Sequence, residues 1–350
     1  MTTQTIKIVN ATEATGSANS RSQQRTTRRR TLGLLIAAGV LGASAHVPSL
    51  AQANTAQGRQ EIRIGYQKYG TLTLLKGRGT LEQRLASKNV TVKWTEFPAG
   101  PQLLEGLNVG SVDFGTVGEA PPIFAQAAGA NLVYVGNEPP SPSSEAIVVP
   151  KSSTVRSVAD LKGKKIVLNK GSNVHYLLVK ALEKAGVAYQ DVQVIYLPPA
   201  DARAAFERGS VDAWVIWDPF LAAAEKQIGA RLLADGKGLV NNYQFYLAAR
   251  PYAEKNQDTV RIVLEEIAKV DEWGAAHPKE VAAILSTQTG LETDIVALAA
   301  SRYPYGVKPI TSGVLEQQQK VADAFANLKL IPKPIAVKDA QLGASQLARK

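Results

Sequence analysis

The stretch Leu107-Asn108-Val109-Gly110-Ser111-Val112-Asp113-Phe114-Gly115-Thr116-Val117-Gly118 recurs in outline 99 residues later as Phe206-Glu207-Arg208-Gly209-Ser210-Val211-Asp212-Ala213-Trp214-Val215-Ile216-Trp217. The shared Gly-Ser-Val-Asp is a weak signal alone, and its flanks give it context. Each copy follows a proline-containing loop, Phe97 to Pro101 or Leu197 to Asp201, and a helical run, Gln102 to Val109 or Ala202 to Arg208. After each glycine comes a short apolar strand, then an acidic residue and a proline-led helix start, Glu119-Ala120-Pro121-Pro122 or Asp218-Pro219-Phe220. Helix, glycine turn, strand and helix N-terminus in one order, twice, predict two α/β lobes with a cleft between them.

The first 53 residues read as an export signal: a polar run ending in Arg28-Arg29-Arg30, an apolar stretch from Leu32 to Leu41, and small residues ending in Ala51-Gln52-Ala53. The apolar run is about half the ~20 residues that a membrane span requires. Thr27-Arg28-Arg29-Arg30-Thr31-Leu32 fits a twin-arginine signal as well as an ordinary signal with an arginine-rich start. Six of the 40 Lys/Arg and one of the 30 Asp/Glu lie in this leader, leaving 34 and 29, a balance of +5 instead of +10. The high pI thus belongs in part to the leader. No basic run interleaved with aromatics remains, which argues against nucleic acid as a partner. The lack of cysteine excludes a disulfide framework and a lipid-bearing N-terminal Cys. Cleavage near Ala53 is expected to release a soluble monomer outside the cytoplasm, in the periplasm, large enough for two lobes.

From residue 61 short β-branched runs alternate with helical stretches, the pattern of stacked βα units. Lobe one is expected over residues 54–148, lobe two over 149–246, and the rest of lobe one with C-terminal helices over 247–350. The polar, proline-rich stretch from Glu138 to Ser144 reads as a loop at the lobe edge. Two crossings of the chain follow from this order.

Catalytic chemistry has little material. There is no Cys and no G-x-S-x-G elbow, and with His46 in the leader only His175 and His277 remain, which also leaves no metal-ligand cluster or cofactor motif. What the chain does have is helix starts placed just after strands, at Gln67 to Thr73, Gly118 to Ile123, Lys170 to His175 and Trp217 to Leu221. Ligands of open α/β sheets sit at such junctions, where free N–H groups and the helix dipole favour an anion. Gly118 and Gly171 allow close approach to the backbone. Ser172 and Asn173 are expected to donate side-chain hydrogen bonds to a ligand while starting the helix, with a plain N-cap as the alternative. Trp217 either walls an apolar ligand portion or packs at a hinge. Asp218 before Pro219 reads first as a helix cap, and Glu119 and Asp218 are expected to offer backbone N–H groups rather than charge to an anion.

Ile64-Gly65-Tyr66-Gln67-Lys68, Glu96-Phe97-Pro98-Ala99-Gly100-Pro101, the block from Gly118 to Ala127, and Trp214-Val215-Ile216-Trp217-Asp218-Pro219 resemble the aliphatic sulfonate-binding proteins of bacterial ABC importers. Nitrate, taurine and thiamine-precursor binders share that fold more loosely. The resemblance spans residues 61 to 335 and implies a type II periplasmic binding fold, two α/β lobes joined by two crossings. It places Gln67, Gly118, Glu119, Ala120, Ser172, Asn173, Val174, Trp217 and Asp218 around the ligand. It implies capture of an alkanesulfonate for a membrane permease and its ATPase, with no cofactor and no catalysis. Taurine, nitrate or another small anion is the alternative ligand, and a sensor or enzyme on this fold the alternative role.

Overall fold

The computed structural model describes residues 60–342. The expected leader and its cleavage point near Ala53 lie outside the described residues. The chain begins with β1 (Gln60–Tyr66), α1 (Thr71–Arg78), α2 (Thr80–Ala86), β2 (Val90–Glu96), α3 (Gly100–Asn108), β3 (Phe114–Gly118), α4 (Ala120–Ala127) and β4 (Leu132–Asn137). It then runs through β5 (Glu145–Val149), β6 (Lys165–Leu168), α5 (Asn173–Lys184), β7 (Gln193–Tyr196), α6 (Pro199–Glu207), β8 (Ala213–Trp217), α7 (Phe220–Gln227) and β9 (Arg231–Asp235). Last come β10 (Gln244–Ala249), α8 (Arg250–Lys255), α9 (Gln257–Ala276), α10 (Pro278–Thr289), α11 (Thr293–Ser301) and α12 (Ser312–Asn327). No helix among the described residues is long and apolar enough to cross a membrane.

Two five-stranded sheets result, in the orders β2-β1-β3-β10-β4 and β7-β6-β8-β5-β9. They share one plan. Three parallel strands occupy one side, and the fourth place is taken by an antiparallel strand, β10 in the first sheet and β5 in the second. Each of these two strands is the first the chain supplies on arriving from the other lobe. The structure therefore moves both expected boundaries: β5 lies wholly in the second sheet, so the first crossing falls between Asn137 and Glu145, and β10 puts the second between Asp235 and Gln244. Composition hid the first shift, because Glu145 opens the strand with a buried carboxylate where a polar residue suggests loop.

The repeat forms the same scaffold twice. The Asp113 carboxylate accepts the Arg63 N–H in the middle of β1 at 2.8 Å, and the Asp212 carboxylate accepts the Lys165 N–H at the start of β6 at 2.8 Å. Both preceding glycines, Gly110 and Gly209, have left-handed backbones, the conformation that lets a helix end and turn into a strand. The strands that follow are almost wholly buried, Phe114–Gly118 and Ala213–Trp217, because helices cover both faces of such sheets. The helical stretch after β1 is divided into α1 and α2 where Gly79 adopts φ 66°.

Candidate functional site

All four expected junctions are helix starts. α1, α4, α5 and α7 begin within a few residues of the ends of β1, β3, β6 and β8, so their N-termini converge from both lobes on the carboxyl edges of the sheets. Between them lies a narrow cavity of about 40 Å³, lined by Gln67, Gly118, Ser172, Asn173, Trp217 and Asp218 together with Tyr69, Thr116, Asn242, Gln244 and Tyr303. A wider groove of about 810 Å³, rimmed by Asn256, Asp258 and Arg261, lies on the surface of lobe one away from these helix starts.

Six of the nine expected residues line the cavity and three do not. Ala120 is fully buried in the first turn of α4, and Val174 is fully buried in the core beneath α5. Glu119 turns away: its carboxylate accepts the Tyr243 N–H at 3.2 Å, fastening the second crossing to the start of α4. Burial pushes this carboxyl up to about 7, against the backbone hydrogen bonds from Tyr243 and Asn242. Glu119 and Val174 each directly follow a cavity residue, Gly118 and Asn173; along α5 a step of about 100° turns Val174 from the cleft to the core.

The side chains at the start of α5 do something other than either expected role. Ser172 donates its hydroxyl to the Asn169 carbonyl at 2.7 Å rather than capping the helix. Asn173 donates to Glu145 at 2.5 Å and to the Asn242 side-chain oxygen at 3.1 Å. Both amide hydrogens are thereby engaged, and the only free side-chain atom is its oxygen, an acceptor. Backbone N–H groups are then the donors this helix start presents to the cavity. Gly118 makes the tight approach possible: a Cβ there would lie 2.9 Å from the Asn173 Cβ.

On the other side Gln67 donates to the Thr116 carbonyl at 3.2 Å. Trp217 lines the cavity, and its ring packs edge-on against Phe220 of α7 at 6.1 Å. Asp218, one residue ahead of the Pro219 N-cap of α7, accepts the Ala222 N–H of the first turn at 3.0 Å, and both its oxygens also face Arg302 at 3.3 Å. Burial pushes the Asp218 carboxyl up to about 7, with the Arg302 charge pulling it back. His175 is directed into the core: Gly171 N–H donates to its Nδ1 at 3.3 Å, which leaves the Nε2 hydrogen to face the Tyr189 hydroxyl at 2.7 Å. Burial, and next the Lys170 charge, push its pKa down to about 3, so the ring stays neutral.

Arg302, Asn242, Gln244 and Tyr303 were not legible as site residues. Asn242, Gln244 and Tyr303 reach the cavity from the second crossing, the start of β10 and the chain past α11, and Arg302 meets it only through Asp218. A signal existed only for Asn242, a residue tolerant of the left-handed backbone it adopts, φ 51°, just before a strand.

Residues 87–281 match the family described as NMT1/THI5 like. An aliphatic sulfonates-binding protein of Escherichia coli (strain K12) is 46% identical over 293 residues, covering 83% of this chain and 91% of that protein. The alkanesulfonate-binding protein from Xanthomonas axonopodis pv. citri, solved bound to MOPS, superposes with a TM-score of 0.78 at 44% identity, covering 81% of this chain and 98% of that one. The crystal structure of the periplasmic aliphatic sulphonate binding protein from Escherichia coli gives 0.75 at 46% identity, covering 83% and 94%. The chain belongs to the NMT1/THI5-like family, within its group of aliphatic sulfonate-binding proteins.

Proposed function

We propose that this chain is an extracytoplasmic solute-binding protein that captures an aliphatic sulfonate and delivers it to the permease and ATPase of an ABC importer. The observation that carries the reading is the convergence of four helix starts, two from each lobe, on one cavity whose described lining holds no Lys or Arg. A sulfonate is a permanent monoanion with three acceptor oxygens. Backbone N–H groups at helix starts satisfy it without a counter-charge or a general base.

A group that binds and releases without bond-making fits a lining of amides, hydroxyls and aromatic rings better than catalysis does. We assign the nine expected residues two tasks: Gln67, Gly118, Ser172, Asn173, Trp217 and Asp218 shape the pocket, while Glu119, Ala120 and Val174 hold the helices that present it. Residues 1–53 direct export and are removed near Ala53, and the released form is a monomer. The cavity, close to a single water's share of volume, requires the lobes to part before an alkyl tail enters. Calorimetry with ethanesulfonate, pentanesulfonate, taurine, nitrate and sulfate tests the reading. Tight binding of the alkanesulfonates is expected; preference for taurine, nitrate or sulfate overturns it.

A further inference from the structure

The side chain of Asn242 ties together parts of the molecule that are distant in sequence. It is fully buried in the second crossing and also lines the cavity. Its amide donates to the Ser141 carbonyl and to the Ser144 hydroxyl, both at 3.0 Å and both on the first crossing. Its oxygen accepts from Asn173, the first residue of α5, at 3.1 Å. Its own carbonyl accepts the Ser141 hydroxyl at 3.0 Å. The next residue, Tyr243, is held through its N–H by Glu119 of lobe one.

The second crossing is thus gripped once from each lobe, and each grip comes from the start of a helix bordering the cavity. Segments that absorb a lobe closure are the crossings themselves. Joining both crossings to a residue of the cavity wall makes the position of that wall depend on the hinge, and the hinge on the wall. Because Glu145 and Asn242 use both Asn173 amide hydrogens, loss of either partner leaves the amide held by a single hydrogen bond.

We propose that Asn242 is a positioning residue for ligand capture, fixing the Asn173 amide at the cavity wall and coupling its engagement to the two crossings. This rests on the cleft being the sulfonate site. The test uses the purified chain and pentanesulfonate. Asn242→Gly keeps the left-handed backbone and removes the amide; Ser141→Ala weakens the same tie from outside the cavity and covers the case in which Asn242→Gly does not fold. Asn242→Gly is expected to melt cooperatively, to scatter as a more open molecule without ligand, and to bind about tenfold more weakly through faster dissociation. Ser141→Ala is expected to shift the same readouts less. With Asn173→Ala the double variant is expected to bind no worse than the weaker single one, since both remove one coupling. Wild-type dissociation and scattering in Asn242→Gly, or in Ser141→Ala if the former does not fold, or additive losses in the double variant, overturn the inference. Failure of the wild type to bind any alkanesulfonate overturns the functional reading instead, and the unliganded scattering then judges the hinge role alone.

Discussion

Arg302, just past the end of α11, holds the buried carboxylate of Asp218 by both oxygens at 3.3 Å. The same guanidinium reaches Glu225 on α7 at 2.5 Å, so one cation joins the C-terminal helices to the second lobe. Ala222 and Ala223 of α7 also pack on Ile295 and Ala299 of α11, an apolar contact between the second lobe and the C-terminal helices.

Arg302→Met is therefore expected to leave a buried carboxylate without its partner, a loss of about 3 kcal/mol when that group is ionised. Denaturant unfolding at pH 8 measures it. At pH 5 the loss should shrink, because Asp218 titrates near about 7 and is then neutral. An equal loss at both pH values would show that the pairing with Asp218 is not the origin.

The pH dependence of stability has a definite sign. Burial pushes the carboxyls of Glu119 and Asp218 up to about 7, of Glu138, with the nearby Asp271 charge, up to about 8, and of Asp271 up to about 6. Unfolded carboxyls titrate near about 4, so between there and about 8 the native state binds more protons than the unfolded one, and stability falls as pH rises. Carboxyls held low, such as Glu265 beside Arg84, weaken the fold only below that window, whereas His175, held down at about 3 from an ordinary 6.5, opposes the trend in the lower part of it and is outweighed by the four carboxyls. The melting temperature is expected to be higher at pH 5 than at pH 8, and Glu138→Gln should flatten the upper part of the decline. A melting temperature that climbs across this range contradicts the assignment.

Gly118→Ala should uncouple folding from capture. The backbone there is ordinary for an L-residue, but the new Cβ would stand 2.9 Å from the Asn173 Cβ when the lobes are together. Overpacking of this kind costs about 2 kcal/mol, or about thirtyfold in affinity. Calorimetry should show that loss with a melting temperature close to wild type, and wild-type affinity would mean that the lobes do not meet at this point.

The repeated aspartates predict a contrast within one motif. Asp113 is nearly buried and also pairs with the Arg63 guanidinium, whereas Asp212 keeps its strand contact near solvent. Asp113→Ala should destabilise by about 2 to 3 kcal/mol and Asp212→Ala by about 1 kcal/mol, with sulfonate affinity unchanged in both. A change in affinity without a change in unfolding would make the motif part of the site.

Local order was legible and partnership was not. The glycine turns at Gly110 and Gly209, the strand from Lys165 to Leu168 and the helix opening at Asn173 follow from residue chemistry within a few positions, so the sequence displays them. The task of Asn173 depends on Glu145, 28 residues earlier, and Asn242, 69 later. That of Asp218 depends on Arg302, 84 residues on. A short polar residue at a helix start looks the same whether its amide meets ligand or a buried carboxylate. Ser172→Ala accordingly should change affinity less than the full value of a lost hydrogen bond, since its hydroxyl is spent on Asn169.

The antiparallel fourth strands also set an order of assembly. The second sheet draws all its strands from one unbroken stretch, β5 through β9, while the first waits for β10 to fill the gap between β3 and β4. As the chain emerges from its N-terminus, the lobe that begins it is the last that can be completed. A fragment ending at Asp235 carries every strand of the second lobe and an unfinished first one, so the two halves of the cleft cannot be obtained by a single cut.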